Sequence, residues 1–192
     1  MKQLLQAIFL CVLVACNTAS TSSVTSDSAK TSDMITLNDT IKYSYPIQYS
    51  SDFSIGDPKY AEVVLQFWKD YDNNTFDNHK DAFADSVTMD LAGGTSLENM
   101  QKDSIFNAVK AYRNSIKHAV STVNAITTLK PKDRLETWVC VWGKEVDTHD
   151  DDTKDSILLN ENWRFNKDGK VVYMSQFQAT PPMRKTKYLK PF

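Results

Sequence analysis

Apolar positions recur along this chain with two different periods. Tyr60, Val63, Val64, Phe67, Trp68 and Tyr71 follow at i, i+3, i+4, i+7, i+8 and i+11, one stripe down about three turns of helix. Asp57-Pro58 precedes it, an N-cap acceptor followed by proline at the first helical position, and Asp72-Asn73-Asn74 ends it. His79 to Ala84 reads as a short second helix and Ser86 to Leu91 as a strand. After a turn at Gly93-Gly94, a third helix is predicted from Lys102 to Lys117, with Ile105, Ala108, Val109, Tyr112 and Ile116 on its inner face. Beyond it the period becomes two. Strands are predicted over His118–Leu129, Leu135–Val146, Ser156–Phe165 and Val171–Ala179, the last two joined by the turn Asn166-Lys167-Asp168-Gly169. Helices first and a run of antiparallel strands afterwards predicts α+β, with the helices covering one face of a curved sheet.

The first residues follow a different rule. Lys2 and an apolar run from Leu4 to Val14 form a secretory signal, since a bilayer span needs roughly 20 apolar residues and this run has about half that. Leu13-Val14-Ala15-Cys16 resembles the lipobox of bacterial lipoproteins. The resemblance implies cleavage before Cys16 and acylation of Cys16, with anchoring made effectively permanent by two or more chains. The competing reading is a plain secreted protein in which Cys16 is incidental. The following Asn17-Thr18-Ala19-Ser20-Thr21 lacks an acidic run resembling a surface-export tag, which points to an outer-membrane anchor facing the periplasm. Asn17 to Asp33 is almost all Ser, Thr, Ala and Asp, too polar to offset its ordering entropy, and reads as a tether. Met34 to Tyr49 alternates Ile35, Leu37, Ile41, Tyr43 and Tyr45, either a short added strand or an extended arm. The expected organisation is therefore a signal peptide at 1–15, a lipidated tether and arm at 16–56, one domain at 57–180 and a tail at 181–192.

Composition narrows the function. A formal net charge of −2 and the lack of a Lys/Arg stripe argue against nucleic acid, whose phosphates demand a basic face. With Cys11 in the signal and Cys16 carrying lipid, Cys140 is alone and no disulfide is expected. Cys140 sits mid-strand among bulky apolar residues and reads as inert. His79, His118 and His149 fall on separate elements without metal-ligand spacing, His79 as a solvated helix residue and His118 as a helix-end cation, so neither metal nor cofactor is expected. Asp147, Asp150, Asp151, Asp152 and Asp155 lack the glycine and terminal glutamate of a calcium loop and read as a solvated turn.

The order of elements, with Phe83-Ala84-Asp85-Ser86-Val87-Thr88 and Trp163-Arg164-Phe165-Asn166-Lys167-Asp168-Gly169-Lys170-Val171-Val172, resembles the NTF2-like superfamily of cone-shaped domains, which includes SnoaL-like proteins and steroid isomerases. That resemblance implies a curved, mostly antiparallel sheet with helices on its concave face and a cavity between them. Aligned on these stretches, Phe67 stands where steroid isomerases carry a tyrosine donor, Leu91 where they carry the catalytic base, and Glu161 where they carry a second acid. A phenyl ring cannot donate to an oxyanion and Leu cannot take a proton, so isomerase chemistry of that kind is not expected. Strand parity puts Leu159, Glu161, Trp163 and Phe165 on one face, with Met174, Gln176 and Gln178 from the last strand.

Trp138, Cys140 and Trp142 alternate with Val139 and Val141, so that strand is apolar on both faces. We expect Trp138 and Trp142 in the cavity. Val139 and Val141, with Tyr173 and Phe177, are then expected on a convex patch that pairs two copies or is covered by the 34–49 arm. The expected lining is Phe67, Trp68, Tyr71, Leu91, Trp138, Trp142, Glu161, Trp163, Met174, Gln176 and Gln178. The expected function is a lipid-anchored, non-catalytic domain binding a small, mostly apolar molecule or a partner protein. Its alternatives are a SnoaL-like lyase, isomerase or hydrolase using Glu161 as acid or base, and a scaffold whose cone is filled by its own side chains.

Overall fold

A computed structural model describes residues 42–181. Cys16, most of the tether and arm, and the tail after 181 lie outside the described residues. Within them come β1 (Phe53–Ile55), α1 (Lys59–Asn73), a 3-10 helix (Phe76–Ala82), β2 (Phe83–Leu91), β3 (Thr95–Gln101), α2 (Lys102–Arg113), β4 (His118–Pro131), β5 (Thr137–Thr148), β6 (Lys154–Phe165) and β7 (Val171–Ala179). The strands form one sheet in the order β1-β4-β5-β6-β7-β2-β3, antiparallel except where β2 lies parallel to β7. None of the described helices is long and apolar enough to cross a membrane.

Helix α1 starts where the sequence places it. Asp57 Oδ1 accepts from the Lys59 backbone N–H at 2.9 Å, satisfying one of the donors that the first turn leaves free. Asn74, in the left-handed region at φ 56°, ends the helix. The carbonyls of that last turn have a further partner. Arg113, 4% exposed, donates to Tyr71 O (2.7 Å) and Asp72 O (3.0 Å), and holds the Ile116 carbonyl at 2.7 Å. A buried cation at a helix C-terminus meets the negative end of the macrodipole, and it pins α1, the end of α2 and the start of β4 together.

The stripe of α1 buries Val64, Phe67 and Trp68 against Val139 and Val141 of β5, Leu159, Trp163 and Phe165 of β6, and Val171 and Met174 of β7. Phe67 packs edge-on or tilted against Phe76, Phe83, Phe106 and Trp163, with ring centroids 5.0–5.8 Å apart. Gly143 permits a close approach of helix and sheet. A Cβ there would stand 2.7 Å from the Trp68 ring and 2.6 Å from Thr122 O.

Four elements depart from the expectation. The short helix is a 3-10 helix that begins at Phe76. A strand, β3, follows the Gly93-Gly94 turn and pairs with β2 as the edge of the sheet. Helix α2 ends at Arg113, burying Ile105 and Phe106 while Tyr112 stays 61% exposed. The added strand is β1, on the far edge against β4, and lies after the predicted arm.

Candidate functional site

The inner face of the sheet and the helix stripe do not close on each other completely. Between them lies a cavity of about 400 Å³, within the range of small-molecule sites. Phe67, Trp68 and Tyr71 enter from α1, Leu91 from β2, Glu161 and Trp163 from β6, and Met174, Gln176 and Gln178 from β7. These are sequence-predicted lining residues, and the structure brings them together. Met89, Leu97, Val109, Tyr112, Ser121 and Glu145 complete much of the remainder.

Trp138 and Trp142 are not among them, which corrects the parity assigned to β5. Cross-strand partners share a face, and Val141 stands opposite Glu161 while Trp142 stands opposite Asn160. The inward set is therefore Val139, Val141, Gly143, Glu145 and Asp147. Trp138, Cys140 and Trp142 face outward with Tyr173, whose ring centroid is 5.9 Å from that of Trp138. Val139 and Val141 accordingly leave the convex patch and become core. Part of the outer face is covered from within the chain: Tyr49 packs edge-on against Trp138 and accepts its indole N–H at 2.7 Å. Trp142 and Phe177 remain exposed.

Glu161 is 5% exposed and fully furnished with donors. Trp68 Nε1 and Trp163 Nε1 donate to Oε2 at 2.7 and 3.0 Å, and Gln176 Nε2 donates to Oε1 at 2.9 Å. Gln178 in turn donates to Gln176 Oε1 at 3.0 Å, so the chain of bonds runs inward from the mouth. Burial pushes the Glu161 carboxyl above the usual carboxylate range, and these three donors pull it partly back. Indole N–H groups only donate, so both tryptophans are satisfied only while Glu161 accepts.

The opposite end of the cavity has no such furniture. Glu145 is 9% exposed, and its strand neighbour on the same face is Asp147, 5% exposed, whose Oδ1 has no hydrogen-bond partner. Burial, reinforced by the charges of Asp147 and Glu161, pushes Glu145 up to about 8. Asp147 is also raised, chiefly by burial, with the adjacent Glu145 carboxyl and the charges of Arg113 and His149 pulling the other way. The Tyr71 hydroxyl, buried without a partner, is raised by burial and by the same two acids. No lining residue of the cavity is Lys, Arg or His.

Glu145 carries no signal of its own in the sequence, and Asp147 is not part of a solvated turn as expected: it lies in β5, 5% exposed, on the inner face. The phase of β5 locates both. His79 is also not a free helix residue: its Nδ1 lies 2.6 Å from Asp70 Oδ2, and Asp70 is 3% exposed. His118 opens β4 and is not a helix end. Cys140 is half-buried on the outer face and raised by burial, hence a poor nucleophile. Among the described residues no group of His, Cys, Asp or Glu is placed to hold a metal ion. A wider surface groove of about 680 Å³ crosses β7 and the Gly93-Gly94 turn. Its acid, Asp90, is already engaged by Ser96 and Tyr173 at 2.6 and 2.7 Å, so the chemistry concentrates in the smaller cavity.

A bent sheet wrapped on two helices, with a cavity between them, defines the NTF2-like cone, and this chain has that fold. It is similar to an LEH-like epoxide hydrolase from M. tuberculosis, at 10% identity over 66% of this chain and 82% of that one, with a TM-score of 0.54. It is also similar to AclR, described as a putative hydroxylase from Streptomyces galilaeus (13%; 67% and 94% covered; TM-score 0.51). A third is described as a putative dehydratase from the NTF2-like family of Streptomyces avermitilis (9%; 63% and 94%; TM-score 0.50). At these identities the likeness is one of fold. No protein-family model matches this sequence, and neither does any curated protein.

Proposed function

We propose that this domain binds a small, mostly apolar molecule in its cone without transforming it, and that it is held in the bacterial cell envelope by an acylated Cys16. The observation that carries the binding reading is the state of Glu161. Two indoles that can only donate and the Gln176 amide hold this carboxyl in the wall of the cavity, and taking a substrate's proton would weaken all three bonds. Such a carboxyl organises a pocket wall.

The test pairs native mass spectrometry of protein purified from its own host with Glu161→Gln. A co-purifying small molecule and an acyl mass on Cys16 are the expected results. Turnover of any compound in a soluble panel that disappears in Glu161→Gln would overturn the non-catalytic reading in favour of a SnoaL-like lyase, isomerase or hydrolase. A peptide beginning at Cys16 without added mass would remove the anchor. The same reading pairs two copies through the outer face, where Trp142 and Phe177 stay exposed. A strict monomer by light scattering ends that part of it.

A further inference from the structure

We infer that the ligand of this cone carries an organic cation, an ammonium group on an apolar body, and that Glu145 with Asp147 receives it. The inference rests on the binding reading above and deepens it. It starts from a contrast between two acids in one cavity. The protein gives Glu161 three N–H donors; among the described residues no N–H group donates to Glu145, which is nine-tenths buried and lines the same cavity. The Tyr71 hydroxyl on the same lining and Asp147 Oδ1 on the same strand face are buried without partners, and buried polar groups are almost always paired, so this end of the cavity is built for polar groups that arrive from outside.

Among the described residues, none of the neighbouring side chains donates a hydrogen bond to Glu145. On α1, Asp72 accepts from Ser121 Oγ of β4 at 2.8 Å, and Tyr71 presents an unpartnered hydroxyl. From the end of α2, Arg113 spends its donors on the Tyr71, Asp72 and Ile116 carbonyls, and Tyr112 stands at the rim. Glu161 of β6 adds a further like charge, and Asp155 is bound to His149. Burial and these acids together push Glu145 up to about 8, so a cation beside it would meet a group ready to release its proton.

The walls choose among cations. A hard metal ion asks for six or more oxygens, whereas the lining offers the Glu145 carboxyl, with Asp147 behind it on the same strand face, and the rings of Phe67, Trp68, Tyr71 and Tyr112. Aromatic faces and a carboxylate suit an alkylammonium.

The probe pair is naphthalen-2-ylmethylamine and its neutral isostere 2-ethylnaphthalene, titrated against the protein, Glu145→Gln and Asp147→Asn at pH 5.5 and 8.5. We expect the amine to bind at least tenfold more tightly than the isostere at pH 8.5. That advantage should shrink at pH 5.5, where Glu145 is neutral, and vanish in Glu145→Gln while the isostere binds as before. Equal affinity of the two probes for the unaltered protein overturns the inference and leaves the binding cone standing. So does an amine advantage that survives both variants. Binding of neither probe removes the cone reading as well.

Discussion

Glu145→Gln should make this protein more stable at neutral and alkaline pH and leave it unchanged in acid. The carboxyl is raised from 4.5 to about 8 in the fold. Between those two values the folded chain holds a proton that the unfolded chain has released, so stability falls as pH rises across the window. By pH 7 about two and a half units of the shift have been expressed, an upper limit of ~3 kcal/mol. Glu145 shares its proton with Asp147, which spreads the effect over both acids, so an expected gain of ~1–3 kcal/mol at pH 7 is the working figure. The substitution preserves shape, and the Gln amide can donate to Asp147 as the neutral acid does, so the change isolates the titration. Urea denaturation from pH 4 to 9 reads it: the variant and parent curves should coincide near pH 4 and separate progressively above pH 5. Curves that stay parallel, or a variant less stable at pH 8, would mean that Glu145 is solvated or has a donor, and the account of the acidic end of the cavity would be wrong.

Glu161→Ala should cost about 2–5 kcal/mol, because the buried N–H groups of Trp68 and Trp163 lose their acceptor. Glu161→Gln, whose single carbonyl oxygen can still accept both indoles, should fall within about 1 kcal/mol of the parent by chemical denaturation. Gly143→Ala should destabilise by about 1–3 kcal/mol. It should also blunt Trp fluorescence changes on ligand binding, since the new Cβ would fall 2.7 Å from the Trp68 ring. Arg113→Met should cost about 2–4 kcal/mol in thermal or urea unfolding by orphaning the Tyr71, Asp72 and Ile116 carbonyls.

The parts of the fold visible in the sequence are those whose burial is one-sided. The α1 stripe has one apolar face, and β6 alternates buried and half-buried positions from Leu159 to Phe165, so the periods of 3.6 and 2 give them away. Strand β3 was invisible for the opposite reason. It is an edge strand with Leu97 half-buried and the rest exposed, so it carries no core-facing alternation, and its ladder bonds to β2 hold it in the sheet. Helix α2 stops at Arg113, short of the predicted Lys117, and Arg113 is buried by its bonds to carbonyls of α1, a long-range fact that local periodicity cannot express.

The site turned on a single choice of phase. Between Trp138 and Trp142 both faces of β5 are apolar, so alternation alone leaves the phase open, and the set expected inside is the one that lies outside. Helix α1 lies against the sheet there, so small Val139, Val141 and Gly143 fit beneath it while the indoles need the open side. The hairpin joining β5 to β6 pairs Asp147 with Asp155 and Val141 with Glu161, so odd-numbered residues of one strand face odd-numbered residues of the other. Once Glu161 is placed inside, Gly143, Glu145 and Asp147 must follow it to the same face, and Glu145 enters a cavity whose lining holds no Lys, Arg or His. A charge buried against its solvation energy persists only if something offsets it. Here the chain itself supplies the offset to Glu161 and withholds it from Glu145, and it is this asymmetry between neighbouring strands that assigns the second acid to the ligand.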